Sequence, residues 1–261
     1  MTAAIKPLAV MTGGSSGIGY HLPAKFVEAD YDVLICAEDA RVTEGARTLS
    51  RPLAPVRAVR ADLATFAGVE ELIAVIKSTQ GLVDALALNA AVGNAGPFVG
   101  TPLEADLNVV ALNVTSTVHL AKALLPDMVA KGAGRVLFTA SIAGNQPGPY
   151  YAASKAFVLS FAEALRHETK DSGVTITALM PGPTDTEFFD RAGMADTAAG
   201  QGPKSDPAKV AEQGFAALME GKDHVVAGAR VNKLQAVAAA VLPDEVNAAL
   251  HAKMTTPHGK S

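Results

Sequence analysis

Apolar and polar positions fall into two alternating periods along the 261 residues. Short, continuous apolar runs at Leu8–Met11, Val33–Ala37, Val56–Arg60, Ala85–Leu88, Arg135–Thr139, Val174–Leu179 and His224–Ala227 read as strands. Between them lie segments of helical period: Ile18–Ala29, Arg41–Ser50, Phe66–Ser78, a long helix within Pro102–Ala130, Tyr151–Asp171 and Pro207–Glu220. In Phe66–Ser78 the positions Val69, Leu72, Ile73 and Ile76 share one face. Strands that are apolar at every position are covered on both sides. Repeated strand–helix units then predict an α/β fold, a doubly wound parallel sheet of about seven strands with right-handed crossovers. Such sheets bind ligands beyond the carboxyl ends of their strands, where Thr12, Asp62, Asn89, Ser141 and Pro181 fall.

Two segments stand outside this alternation. Thr184–Ser205 is rich in Gly, Pro, Asp and Thr and reads as a lid or substrate loop. Residues 230–254 form an alanine-rich tail with helices on either side of Pro243. It suits a cap, a subunit contact or, last in rank, a membrane surface, because few lysines or arginines line its polar side. The length fits one domain, with its core over about residues 8–228. A net charge of −4 with no basic run argues against nucleic acid. No stretch reads as long and apolar enough for a membrane span, and MTAAIKPLAV has no secretory core. The single Cys36 lies in an apolar strand and reads as a small core residue in a reducing, cytoplasmic setting. Six histidines without ligand spacing suggest no metal.

Candidate chemistry concentrates at two places. Thr12–Gly19, TGGSSGIG, joins the first strand to the first helix. Gly13 allows a sharp turn, Gly17 leaves room for a pyrophosphate, and Gly19 permits close helix–strand packing; an ordinary glycine-rich turn has the same composition. Tyr151 and Lys155, four apart, share a helix face. An ammonium beside a phenol favours the phenolate, and a tyrosine so tuned exchanges protons with a carbonyl or alcohol oxygen; a surface pair fits the spacing too. Ser141 can polarise a carbonyl. Asn113, in an apolar helix, is a core anchor or a water-relay group.

TGGSSGIG, Asp62-Leu63, Asn89-Ala90, Asn113, Ser141, YAASK and Pro181-Gly182 occur in an order that resembles the classical short-chain dehydrogenases/reductases over roughly residues 8–228. The resemblance implies a Rossmann-type fold and hydride transfer between NAD(P)(H) and a ketone or secondary alcohol. It makes Tyr151 the general acid/base and Lys155 its tuning partner and ribose contact. Ser141 orients the substrate and Asn113 supports a proton relay. The cofactor falls to Thr12, Gly13, Ser15, Ser16, Gly17, Ile18 and Gly19, to Asp62 and Leu63 near the adenine, and to Asn89 and Ala90 beside the adenosine. Pro181, Gly182, Thr184 and Thr186 match the nicotinamide end. Homodimers or homotetramers are the family's usual assemblies, with the long helices 102–130 and 151–171 and the tail as candidate contacts.

The chain departs from the family's pattern in several places. Ala91 stands where a glycine is usual, and its Cβ threatens crowding, or strain if φ is positive. Ser141 precedes Tyr151 by ten residues, about three fewer than usual, which threatens to displace the serine. Tyr150 is a neighbour without a lysine partner. Pro23 interrupts the first helix. The second strand ends Ala37-Glu38, and Glu38 disfavours a 2′-phosphate, predicting a weak preference for NAD(H); Arg41 is placed to reverse it. Phe188, Phe189 and Met194, with Phe98 and Val99, predict a medium-sized, partly apolar substrate. A cofactor-binding regulator or scaffold with little catalysis is the main rival, and a sugar-nucleotide epimerase or dehydratase the lesser one.

Overall fold

The computed structural model describes residues 6–52, 54–79 and 81–256; the start of the MTAAIKPLAV segment lies outside them. Seven strands form one sheet: β1 (Leu8–Thr12), β2 (Asp32–Ala37), β3 (Val56–Arg60), β4 (Val83–Leu88), β5 (Gly134–Thr139), β6 (Val174–Pro181) and β7 (His224–Ala227). Their order is β3-β2-β1-β4-β5-β6-β7 and every neighbouring pair is parallel. The chain winds outward from β1 to β3 and then returns to build β4 on the other side. The order therefore reverses between β1 and β4, and a crevice opens at their carboxyl ends.

Alternate residues of each strand feed two separate cores. Val10, Leu34, Leu86, Val136 and Ile176 face one way, against α3 (Phe66–Ser78), α5 (Ser116–Lys131) and α6 (Tyr151–Glu168). Met11, Ile35, Ala87, Leu137 and Leu179 face the other, with Leu22 and Phe26 of α1 (Gly17–Glu28) and Val210 and Leu218 of α9 (Pro207–Met219). Pro23 is buried in the interior of α1, past its first turn, and the helix continues through it to Glu28. The proline has no N–H to offer the preceding turn, a local cost of about 3 kcal/mol.

The sequence pattern reads 102–130 as containing one long helix. It contains α4 (Leu103–Val110), a π-helical turn over Ala111–Thr115, and α5. Contrary to the expectation that no segment has the length and composition of a membrane span, Leu103–Lys131 does, with 29 residues and a mean hydropathy of 1.3 in its most apolar window. Leu120, Leu124 and Met128 on this stretch pack into the sheet's core.

The segment read as a loop at 184–205 holds two short helices, α7 (Phe188–Arg191) and α8 (Ala198–Gln201). Phe189, Ala192, Met194 and Ala199 give it a small apolar core, and Thr184 bridges to Ser205 at its base. The tail forms α10 (Arg230–Val241) and α11 (Asp244–Thr255). Asn247 donates to the carbonyls of Ala239 and Leu242 at 2.8 and 3.2 Å, fixing the corner between these helices. α11 thereby covers the crevice, so the tail caps the cleft.

Candidate active site

The cleft begins at the amino end of α1. Gly13 and Gly17 adopt φ of +71° and +57°, the left-handed region that glycine enters without a Cβ penalty. A Cβ on Gly19 would fall 2.1 Å from the Gly13 carbonyl, so only glycine lets helix and turn approach this closely. Ser16 caps α1 with no side-chain hydrogen bond to the helix, leaving the first-turn N–H groups facing the cleft. Gly13, Ser15, Ser16, Gly17 and Ile18 line it, followed by Glu38, Asp62, Leu63, Asn89 and Ala90. Thr12 and Gly19 do not reach the wall among the described residues. Thr12 is 2 % exposed, and its hydroxyl accepts from the N–H groups of Asn89 and Ala90, each at 3.0 Å. It is a stitch between β1 and β4 rather than a ligand contact.

A continuous chain of bonds runs beneath the cleft. Asn89 donates from its amide to the Thr12 carbonyl at 3.3 Å and accepts from the Thr139 hydroxyl at 3.1 Å. The Thr139 carbonyl accepts from Lys155 Nζ at 2.6 Å. Asn89 thus lines the wall while its side chain is spent on the floor. Asp62 accepts from Ala64 N–H at 2.9 Å through one carboxylate oxygen and stays exposed.

Tyr151 and Lys155 lie on the first turns of α6, with Lys155 Nζ 5.6 Å from the Tyr151 ring centroid. Burial pushes the Tyr151 phenol up to about 12, opposed by a hydrogen bond with Ser141. Burial also pulls the Lys155 ammonium down to about 7. For the tyrosine, loss of solvent outweighs the Ser141 hydrogen bond, so the phenol stays above its ordinary value. With the short loop in place, Ser141 lines the cleft and is in hydrogen-bonding reach of Tyr151. Its hydroxyl donates to the Pro181 carbonyl at 3.3 Å and accepts from Ala143 N–H at 3.1 Å, capping a 3-10 turn over Ile142–Asn145. The rest of the loop ends at Tyr150, held at φ +56°, whose hydroxyl pairs with Thr101 while Phe98 stacks on its ring. Phe98 and Val99, expected in the cleft, stand outside it and are 68 % and 95 % exposed.

Asn113 lies in the π-helical turn and is 1 % exposed. Its amide donates to the Val92 carbonyl and to Ser154 Oγ, and its oxygen accepts from Val92 N–H, all at 2.9 Å. Both amide hydrogens are committed to protein, and the residue does not line the cleft. In this structure the side chain is bonded as a core anchor would be. Ala91 does line the wall, and its φ is not positive, so the feared strain is absent.

The lid closes over the glycine turn and the tyrosine. Thr184 and Thr186 line the cleft beside Pro181 and Gly182, and Thr186 Cγ2 sits over Gly17, 2.8 Å from where a Cβ would stand. Phe188 packs on the Tyr151 ring with centroids 4.7 Å apart. At the far end, Arg41 bonds Asp39 and reaches Glu187 at 2.9 Å, while Arg191 pairs with Glu187 at 3.0 Å and Asp39 at 3.4 Å. Ser15 also donates to Asp39, at 2.9 Å. Burial raises the Asp39 carboxyl, but the bonds from Arg41 and Ser15 prevail and hold it at about 2.

The whole cleft measures about 420 Å³. Sequence reasoning missed its last wall, formed by Gln146 of the short loop and by Leu242, Leu250, His251 and Met254 of the tail. The available signal was a histidine set in an alanine-rich helix, which carries no periodicity of its own.

A dinucleotide suits these residues: a glycine turn no Cβ would fit, unsatisfied N–H groups at a helix start, and a crevice leading from there to a Tyr–Ser–Lys group. The family described as short chain dehydrogenase matches residues 7–196. The chain belongs to the short-chain dehydrogenase family. Among its relatives, oxidoreductase UcpA of Salmonella typhimurium strain LT2 is 30% identical over 206 residues, covering 77% of this chain and 76% of that one. Human 17-beta-hydroxysteroid dehydrogenase type 1 is 32% identical over 196 residues, 71% of this chain and 59% of its own length. A short-chain dehydrogenase from Sphingobium yanoikuyae, solved in complex with NADPH, superposes with a TM-score of 0.78 at 27% identity, covering 84% of this chain and 87% of that one. As a short-chain dehydrogenase the chain is an oxidoreductase with a Rossmann-like parallel sheet.

Proposed function

We propose that this short-chain dehydrogenase reduces a ketone, or oxidises the matching secondary alcohol, with a nicotinamide dinucleotide and with Tyr151 as the proton-transferring group. The observation that carries the reading is the convergence of Tyr151, Ser141 and Lys155 at the end of a cleft that starts on a glycine turn. The dinucleotide, when bound, supplies or accepts the hydride. Tyr151 is protonated at neutral pH, as an ordinary tyrosine is, and burial moves its pKa further up. It is therefore set to give its proton to a carbonyl oxygen, and takes one back in the reverse direction. Ser141 directs the substrate oxygen toward the phenol. Lys155, anchored on Thr139, stands ready for a ribose hydroxyl. The lid phenylalanine Phe188 keeps water from the tyrosine.

A weak preference for NAD(H) goes with this reading. Glu38 lines the adenosine end, and Arg41, the group that would hold a 2′-phosphate, is occupied by Asp39 and Glu187. The exposed apolar residues Leu107, Val110 and Val118 on α4–α5 and Phe157 on α6 support a homodimer or homotetramer joined through these helices. We place the protein in the cytoplasm, acting on a small-molecule carbonyl or alcohol.

Fluorescence titration with NADH and NADPH, followed by a panel of ketones at saturating cofactor, tests the reading. Binding with reduction of at least one ketone is the expected result. Tight binding with no turnover on any ketone or secondary alcohol would instead make the chain a nucleotide-binding regulator.

A further inference from the structure

The end of the cleft beyond Tyr151 is apolar, with Phe188, Phe189, Met194, Leu250 and Met254 on its walls. Four polar side chains from the short loop and α11 interrupt this surface: Gln146, Asn247, His251 and Thr255. Two of them commit their donors within the tail. Asn247 donates to Ala239 and Leu242, and the Thr255 hydroxyl donates to the His251 carbonyl at 2.9 Å.

Gln146 and His251 are different. They come from segments 105 residues apart and meet through a 3.0 Å bond between His251 Nδ1 and Gln146 Oε1. The glutamine oxygen is an acceptor, so Nδ1 carries the proton and donates it. That tautomer leaves His251 Nε2 as an acceptor and the Gln146 amide as a donor, with no protein partner for either among the described residues.

The neighbouring backbone is shaped around the ring. A Cβ on Gly148 would fall 2.4 Å from His251 Cδ2 and 2.6 Å from Nε2, so glycine at this position makes room for that edge of the imidazole and leaves Nε2 uncovered by a side chain. Gly148 lies in the same loop that joins Ser141 to Tyr151, and the pair and the reacting groups line one cleft. Burial lowers the His251 pKa and keeps the ring neutral at neutral pH. Among the described residues the cleft wall carries two cationic side chains: Lys155 at the reacting end, and Arg191, which is paired with Glu187 and Asp39; Lys204 lies over the Phe189 ring, 5.1 Å from its centroid, and is not on the wall.

We propose that Gln146 and His251 form the polar end of the substrate site, and that the substrate is a carbonyl or alcohol compound with an apolar body and an uncharged hydroxyl remote from the reacting carbon. This rests on the oxidoreductase reading above. A hydroxyl satisfies both free groups at once, donating to Nε2 and accepting from the amide. A carboxylate accepts only; it would face the Nε2 lone pair and lose its hydration in an apolar lobe without a counter-ion.

Three probes of one skeleton separate the possibilities: benzylacetone and its para-hydroxy and para-carboxy derivatives. Their binding is measured by calorimetry on the protein saturated with oxidised dinucleotide, and their reduction separately with reduced dinucleotide. The hydroxy compound should bind about tenfold more tightly than the parent, and the carboxy compound no more tightly than the parent. His251→Phe should bring the hydroxy advantage close to one, Gln146→Leu should reduce it, and His251→Gln should keep part of it. Dinucleotide affinity measured on each variant reports whether the fold has survived. Equal binding of hydroxy and parent compounds, tighter binding of the carboxy compound, or an advantage that survives both His251→Phe and Gln146→Leu would overturn the assignment. Reduction of the ketones without a hydroxy advantage removes this inference alone. A hydroxy advantage in binding with no reduction of any probe upholds the polar end and removes the oxidoreductase reading.

Discussion

Arg41, at the start of α2 (Arg41–Leu49), donates to Glu187 at the foot of the lid at 2.9 Å and so ties the adenosine end of the cleft to the segment that covers the tyrosine. Glu187 is the first cause of the raised Arg41 pKa, and Arg41 in turn lowers that of Glu187. The pair is exposed, so its contribution to global stability is small and salt-sensitive. Its consequence is local: a guanidinium that would otherwise meet a 2′-phosphate is engaged elsewhere.

Glu187→Gln should therefore shift cofactor preference. With Glu187 neutral, Arg41 and Arg191 retain only Asp39 and Glu38 as counter-charges. The ratio of NADPH to NADH affinity should rise by about three- to tenfold, more at low salt. Parallel fluorescence titrations at two ionic strengths read this directly. An unchanged ratio would show that Glu38 alone sets the preference.

Tyr151→Phe removes the hydroxyl and leaves the ring that Phe188 covers. Turnover should fall by about a thousandfold, with dinucleotide affinity changed little. The raised pKa also fixes the pH dependence. Ketone reduction needs the protonated phenol, so it should not be lost through Tyr151 as pH rises from 6 toward 10, well below the value of about 12. Alcohol oxidation needs the phenolate, so its rate should climb over the same range. Initial rates in both directions across this range provide the check.

The sheet and its helices were legible because the signal is periodic: Val69, Leu72, Ile73 and Ile76 point one way whatever the rest of the chain does, and all four are buried. The glycine turn and the Tyr–Lys pair were legible because each depends on short local spacing. The rest depended on contacts between distant segments. Nothing local to Asn113 distinguishes an anchor from a relay; the decision lies with Val92 and Ser154, which are 21 and 41 residues away. The π-helical turn around Asn113 has no sequence marker. Lys155 could be placed next to Tyr151 from spacing, but the effect of burial on both pKa values required the surrounding walls. Gln146 and His251 are one residue each in a loop and a tail, and only the folded chain brings them together.

Lys155 makes the fold's stability depend on pH. Its pKa is about 7 in the folded chain, against an ordinary 10.5. Between these values the unfolded chain holds a proton that the folded chain has released, so stability rises with pH across that window and the burial penalty is complete below it. The slope is about 1 kcal/mol per pH unit where the difference is greatest. Lys155→Met should flatten the rise in Tm between pH 7 and 9 and raise Tm at pH 7, measured without cofactor. A wild-type Tm that does not rise over this interval would place the folded pKa near its ordinary value.

Asn113 provides the sharpest separation between holding the site and taking part in its chemistry. Its amide clasps both backbone groups of Val92, next to Ala91 on the cleft wall, and reaches Ser154, next to Lys155. Replacing it with leucine leaves the half-buried Val92 N–H and carbonyl without their side-chain partners, a loss of about 2 kcal/mol. If the side chain is an anchor, the loss appears as a lower denaturation midpoint, while kcat measured on folded protein at low temperature falls by no more than about tenfold. The pH dependence of reduction should then keep its shape, because no proton passes through the amide. A fall of a hundredfold or more in kcat on folded protein, with a shifted pH profile, would return Asn113 to the relay. Asn113→Asp sharpens the comparison. The carboxylate can still accept from Val92 N–H, but it loses both donated hydrogens and faces the Val92 carbonyl, so it should destabilise the fold at least as much as leucine at neutral pH and recover as acid protonates it.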